Sequence, residues 1–161
     1  MKEGPMPLDK TKYKILKLDC PAEKVLRITF DRPETYNSLD ADGHRELAYI
    51  WREIDDDPTI NSVLITGAGK AFSSGGDFEM IEKVMDDFDF RAQIWREAKD
   101  LVYNIINCSK PIVSAINGPA VGAGLVAGLL ADISIVGKTA KIVDGHTNLG
   151  VAAGDSAIIN W

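Results

Sequence analysis

The chain has 161 residues, of which 45% are hydrophobic and 26% charged, and its formal net charge is -6. That much apolar material fills the core of one ordinary domain. The acidic balance, with no clustered Lys/Arg stripe, excludes a nucleic-acid binder, whose affinity rests mainly on such clusters.

The two cysteines, Cys20 and Cys108, lie far apart without metal-ligand spacing, which speaks against a zinc site or a disulfide framework and for a reducing, cytoplasmic setting. The start "MKEGPMPLDKTKYK" lacks the apolar core of a secretory signal. The longest apolar run, residues 119–131, is well short of the roughly 20 residues a membrane span needs. It is expected to be a buried core element, with no membrane partner.

In chain order, "KVLRITF" (24–30) places Leu26, Ile28 and Phe30 on one face of a strand. Leu47, Ile50, Trp51 and Ile54 have helical spacing, with Asp40 or Asp42 as N-cap and His44 on the charged, solvated face. The acidic run at Asp55 to Asp57, followed by Pro58, ends that helix. "SVLITG" (62–67) reads as a buried strand leading into a Gly/Ser/Lys loop.

"MDDFDF" (85–90) reads as a mobile segment lining a substrate entrance. A longer amphipathic helix is predicted over about 88–108, with Ile94, Leu101 and Ile105 inward, and Pro111 stops it. "PIVSAING" and "ISIVG" give two further strands, separated by a turn into a small-residue helix. Strands joined by helical crossovers imply an α/β fold with parallel pairing.

Two glycine-rich loops invite phosphate readings, and both fail. "GAGKAF" has Ala71 after Gly-Lys and Leu64 where a P-loop has its first glycine. "GAGLVAG" has one residue too many before its last glycine for the dinucleotide fingerprint. Each loop instead follows a strand and enters a helix, so the pair can present backbone N–H groups to an oxyanion.

In this order and spacing, "TFDRPETYNSLD", "GAGKAFSSGGDF" and "KPIVSAINGPAVGAGLVAGLLADISIV" resemble the crotonase (enoyl-CoA hydratase/isomerase) superfamily, over residues 24–161. The resemblance implies a crotonase-like spiral of ββα units in one core domain, residues 1–161. It also implies an acyl-CoA thioester as partner, coenzyme A being part of the substrate, with no separate cofactor and no metal. Gly76 and Ala123 match the positions whose amides form the oxyanion hole. Ser74, Gly75 and Gly124 belong to the matching substrate-binding segments, and Asp77 matches the acidic residue that caps the following helix. Arg32 and Tyr36 match the region beside the CoA nucleotide.

Hydratases of the family carry two glutamates, and the matching positions here hold Val126 and His146. An imidazole with an unperturbed pKa of about 6.5 suits general acid/base work. Asp155 is the candidate partner of His146, or else a helix N-cap, while Asp144 is an alternative partner that most simply serves a turn. A His and Asp so spaced also resemble the crotonase-fold β-diketone hydrolases.

Three readings follow: an acyl-CoA hydratase/isomerase, a C–C bond hydrolase, and a non-catalytic crotonase-fold subunit. Family chains continue for roughly another hundred residues, supplying helices that cover the acyl pocket and pack a trimer. The sequence is therefore expected to be a fragment that lacks the C-terminal trimerisation helices, and the full chain is expected to be a homo-oligomer, a trimer or hexamer.

Overall fold

A computed structural model describes residues 7–146 and residue 150. Strand β1 (Leu16–Ala22) and strand β2 (Val25–Phe30) form an antiparallel hairpin. Helix α1 (Ala41–Asp56) crosses to β3 (Ser62–Gly67), and α2 (Phe78–Asp86) and α3 (Phe88–Ile106) lead to β4 (Ile112–Ile116). Then come β5 (Ala120–Val121), α4 (Gly122–Leu129), β6 (Ile133–Val136) and β7 (Ile142–Val143).

The main sheet has the order β1-β2-β3-β4-β6, parallel from β2 onward. A small parallel pair, β5 with β7, stands apart from it. The fold is mixed α/β.

β1 is the element that the parallel-sheet expectation omits. Only Glu23 and Lys24 separate it from β2, too short a link for a parallel crossover, and Lys24 takes a left-handed φ of 58° to make the turn. Pro21 is tolerated because β1 is an edge strand, where a missing N–H breaks no ladder on the open side. Leu26, Ile28 and Phe30 of β2 all point into the core, in the same buried cluster as Trp51 and Ile54 of α1.

The "MDDFDF" segment is also corrected. It is the junction of two helices, and Asp87 serves both: its N–H donates to Lys83 at the end of α2, and its carboxylate accepts from Phe90 N–H at 3.0 Å to start α3. α2 escapes a periodicity reading because it is one short amphipathic stretch of nine residues with no buried side chain.

His44 is not solvated. It is 5% exposed, and its Nδ1 lies 2.9 Å from Glu97 Oε2 on α3. Gln93 Nε2 donates to the other oxygen of Glu97 at 2.8 Å, and Arg45 Nε reaches it at 3.4 Å. The partner comes from a helix fifty-three positions away, so the local charge pattern of α1 misleads. Around this pair, α1 and α3 are further tied by Arg52 to Asn104 and by Asn104 to the Ala48 carbonyl.

Burial pushes the Glu97 carboxyl up, but hydrogen bonds from His44 and Gln93 and the nearby positive charge outweigh it and hold it below its ordinary value. A depressed carboxylate stabilises the fold above its unfolded pKa, about 4.3, and that contribution is lost as pH falls through the lower folded value. Urea midpoints followed against pH should therefore show an acid-side loss that is reduced in Glu97→Gln. Glu97→Ala, which strands His44, should lower stability at neutral pH by about 3 kcal/mol.

Candidate active site

The C-terminal ends of β3 and β4 open onto the two glycine-rich loops, the usual ligand crevice of a parallel sheet. Residues 73–77 run between two neighbouring segments, with Gly75 in the left-handed region at φ 87°. On one side Ser74 N–H donates to Tyr36 O, Leu39 N–H to Gly75 O, and Asp77 N–H to Leu39 O. On the other, Ser73 N–H donates to Pro119 O and Val121 N–H to Ser73 O.

This pattern fixes where the Gly76 amide points. Leu39 and Gly76 form a parallel bridge in which Leu39 bonds to the residues flanking Gly76. The N–H of Gly76 then faces away from Leu39, since in a parallel bridge the partner bonds to the two residues that flank the bridged one and not to that residue itself. It faces the second loop, where a Cβ placed on Gly122 would stand 3.8 Å from Gly76 N.

The second loop enters α4 at Gly122. Val121, its N-cap, offers no side-chain bond, so the first-turn amides, Ala123 among them, project without a capping group. Among the described residues, neither Gly76 N–H nor Ala123 N–H has a protein acceptor.

The approach of the two loops sets their composition. A methyl on Gly122 would sit 3.0 Å from Gly75 Cα, and Gly122 has φ 58°. A methyl on Gly124 would collide with the Ser73 side chain. Only between them, at Ala123, is a side chain accommodated.

Sequence reasoning did not single out Asn37, which organises the crevice. It is 1% exposed and takes φ 60°. Its Nδ2 donates to the carbonyls of Ala68 and Ala71 at 2.9 Å and of Phe72 at 3.3 Å, while its Oδ1 accepts from Arg32 N–H at 3.0 Å. Ser73 Oγ in turn donates to Asn37 O at 2.9 Å and lies 3.3 Å from Gly75 N. Asparagine's tolerance of the left-handed region was the available signal, in "TYNS".

The remaining predicted residues fall around this crevice. Asp77 caps α2 by accepting from Met80 N–H at 2.9 Å. Ser74 Oγ donates to Thr35 O, and Tyr36 is 59% exposed beside it. Arg32 is turned toward Ser38, Asp40 and Asp77. Val126 is buried in the core on α4.

His146 is brought to the same end by the β5–β7 pair. Val121 pairs with Val143, and a Cβ on Gly145 would touch Val121 Cγ1 at 3.3 Å. Asp144 Oδ1 accepts from the backbone N–H of His146 at 3.0 Å and lies 2.5 Å from its Nδ1. Those two bonds, the backbone one foremost, hold the Asp144 carboxyl below its ordinary value. Asp155 lies outside the described residues. Among the described residues no group of three or more His, Cys, Asp or Glu is placed to hold a metal, and no helix is long and apolar enough to cross a membrane.

Comparison with known proteins agrees with this architecture. The family model for enoyl-CoA hydratase/isomerase matches residues 21–160, and the chain belongs to that family of enzymes. It is 33% identical over 129 residues to a 1,2-epoxyphenylacetyl-CoA isomerase of Escherichia coli, covering 79% of this chain and 49% of that one. Against an (E)-benzylidenesuccinyl-CoA hydratase of Thauera aromatica it is 35% identical over 130 residues, covering 80% and 49%. The crystal structure of an enoyl-CoA hydratase/isomerase from Mycobacterium paratuberculosis superimposes with a TM-score of 0.86 at 37% identity, over 91% of this chain and 59% of that chain. The chain spans about half the length of the curated relatives it matches.

Asn37→Ala removes donors from three carbonyls and puts a β-carbon residue in a left-handed conformation with nothing to hold it there. It should cost about 3 kcal/mol in chemical denaturation. An unchanged denaturation midpoint would show that Asn37 does not organise the crevice.

Proposed function

We propose that the protein processes acyl-CoA thioesters by an enolate mechanism of the enoyl-CoA hydratase/isomerase type. The observation that carries this is the facing of the Gly76 amide toward the uncapped start of α4. A thioester whose α-carbon loses a proton gathers charge on its oxygen, and two preorganised N–H groups stabilise that charge without rearranging. Ala123 serves as well as glycine because the donor is main chain.

His146 is the proton-transfer group. A carboxylate can only accept, so its contact with Asp144 assigns a proton to Nδ1, and we take Nε2 as the nitrogen that exchanges a proton with the substrate. Nε2 takes the proton from the substrate α-carbon, and Asp144 stabilises the imidazolium that results. With Val126 at the other acid position, one group both removes and returns the proton, which suits isomerisation of a double bond. Ser74, Gly75 and Gly124 provide backbone for the bound substrate. Coenzyme A enters only as part of that substrate, and a cytoplasmic homo-oligomer is the assembly we expect.

The His146–Asp144 pair also favours a second reading, a C–C hydrolase in which Nε2 directs water at a β-diketone carbonyl. The two separate in one assay series on the intact protein, with unsaturated acyl-CoA thioesters against CoA-free β-diketones. Turnover of thioesters, with kcat reduced about 100-fold or more in His146→Gln and KM little changed, is the expected result. Diketone cleavage alone supports the hydrolase. Equal thioester turnover in wild type and His146→Gln removes His146 from the mechanism.

A further inference from the structure

Arg32 matches a segment that family resemblance places beside the CoA nucleotide, yet its guanidinium is engaged within the protein. Nη1 donates to Ser38 O at 3.2 Å and to Asp40 Oδ2 at 3.2 Å, and it lies 3.9 Å from Asp77 Oδ2. The side chains are 26%, 36% and 22% exposed for Arg32, Asp40 and Asp77.

Both carboxylates are helix caps. Asp40 Oδ1 accepts from Gly43 N–H at 2.8 Å to start α1, and Asp77 Oδ1 accepts from Met80 N–H to start α2. Each helix N-terminus favours its own anion, but the pair brought to one place repel each other. A single cation between them removes that repulsion and joins the two helix starts. The backbone of Arg32 is itself fixed, its N–H donating to Asn37 Oδ1 and its carbonyl accepting from Asn37 N–H at 2.8 Å.

Gly76 sits directly before one of these caps. Asp77 N–H bonds to Leu39 O, and a Cβ on Gly76 would lie 2.5 Å from Met80 Cε, so the first turn of α2 is pressed against Gly76. Whatever holds the start of α2 against the start of α1 also supports the Leu39 bonds that direct the Gly76 amide. We infer that Arg32 is a positioning residue: by bridging the capping carboxylates Asp40 and Asp77 it keeps the Gly76 N–H aimed into the crevice, and it acts through the loop instead of touching the substrate. The inference deepens the proposed function and rests on the oxyanion role of Gly76.

The test compares wild type, Arg32→Ala, Asp77→Asn and the double variant in the intact protein. Asparagine still caps a helix, so Asp77→Asn removes charge and leaves α2 its start. Three quantities are read: free-CoA affinity by calorimetry, kcat and KM on an unsaturated acyl-CoA, and hydrogen exchange of the Leu39, Ser74 and Asp77 amides, whose bonds hold the Gly76 loop, relative to amides of the core strands. The expected result for Arg32→Ala is free-CoA affinity within about twofold of wild type, kcat lower by roughly 10- to 100-fold, faster exchange confined to the Gly76 region, and a double variant no worse than the Arg32 single.

Loss of free-CoA affinity with kcat unchanged would overturn the inference and return Arg32 to the nucleotide. Exchange of the Leu39, Ser74 and Asp77 amides that keeps the wild-type rate would overturn it as well, as would faster exchange spread evenly over the core. If wild type turns over no acyl-CoA, the proposed function fails on its own, and the exchange of the Leu39, Ser74 and Asp77 amides still decides whether Arg32 orders the loop.

Discussion

One buried amide ties the crevice together. Asn37 occupies a left-handed position inside the protein, and its side chain answers three carbonyls of the loop that follows β3 as well as the backbone of Arg32. That loop cannot satisfy its own peptide groups, because it is neither helix nor sheet, and buried carbonyls without donors are costly. When residues 36–39 lie against residues 73–77, the Ser74 and Asp77 N–H groups and the Gly75 carbonyl find partners, and the Gly76 N–H is left over. The direction of the Gly76 amide is a by-product of that requirement.

The second constraint is steric. Two loops that must touch backbone to backbone can carry almost no side chains at the contact, which is why glycine stands at positions 122 and 124 and a methyl is admitted at 123. Close packing and amide presentation are the same fact seen twice: side chains that would separate the loops would also cover the N–H groups. The β5–β7 pair then uses the end of the second loop as a template and delivers the His146 segment to it. Two short strands thereby join residues more than twenty positions apart in the chain.

The surplus of negative charge has a structural use. Asp40, Asp77 and Asp87 cap α1, α2 and α3. Glu46 accepts the backbone N–H groups of Lys14, Ile15 and Leu16, and Asp57 those of Leu8 and Thr59. Acidic side chains here answer backbone donors that would otherwise be orphaned. An acidic composition therefore says little about the ligand in this chain, and Arg32, one of the few cations placed among these caps, acquires its importance from them.

Strands β2, β3 and β4, helices α1 and α3, and the Asp40 cap follow from alternation, helical spacing and cap chemistry, all of which act within a few residues. The pattern of glycines in "NGPAVGAG" likewise marks a close backbone approach without naming its partner. Relations between distant segments were not legible in that way. His44 reads as a surface residue until Glu97 arrives from α3, β1 goes unread until β2 folds back on it, and Asn37 is one polar residue among several until the loop after β3 closes over it. The contact of His146 with Asp144, two positions away, is local, whereas the placing of that segment beside the second loop comes from the pairing of β7 with β5. Sequence alone determined which groups could carry the chemistry, because propensity and motif are properties of residue type and spacing. Tertiary structure decided which way each amide, imidazole and carboxylate faces, because direction is set by the neighbours that satisfy a peptide group, and those neighbours come from elsewhere in the chain.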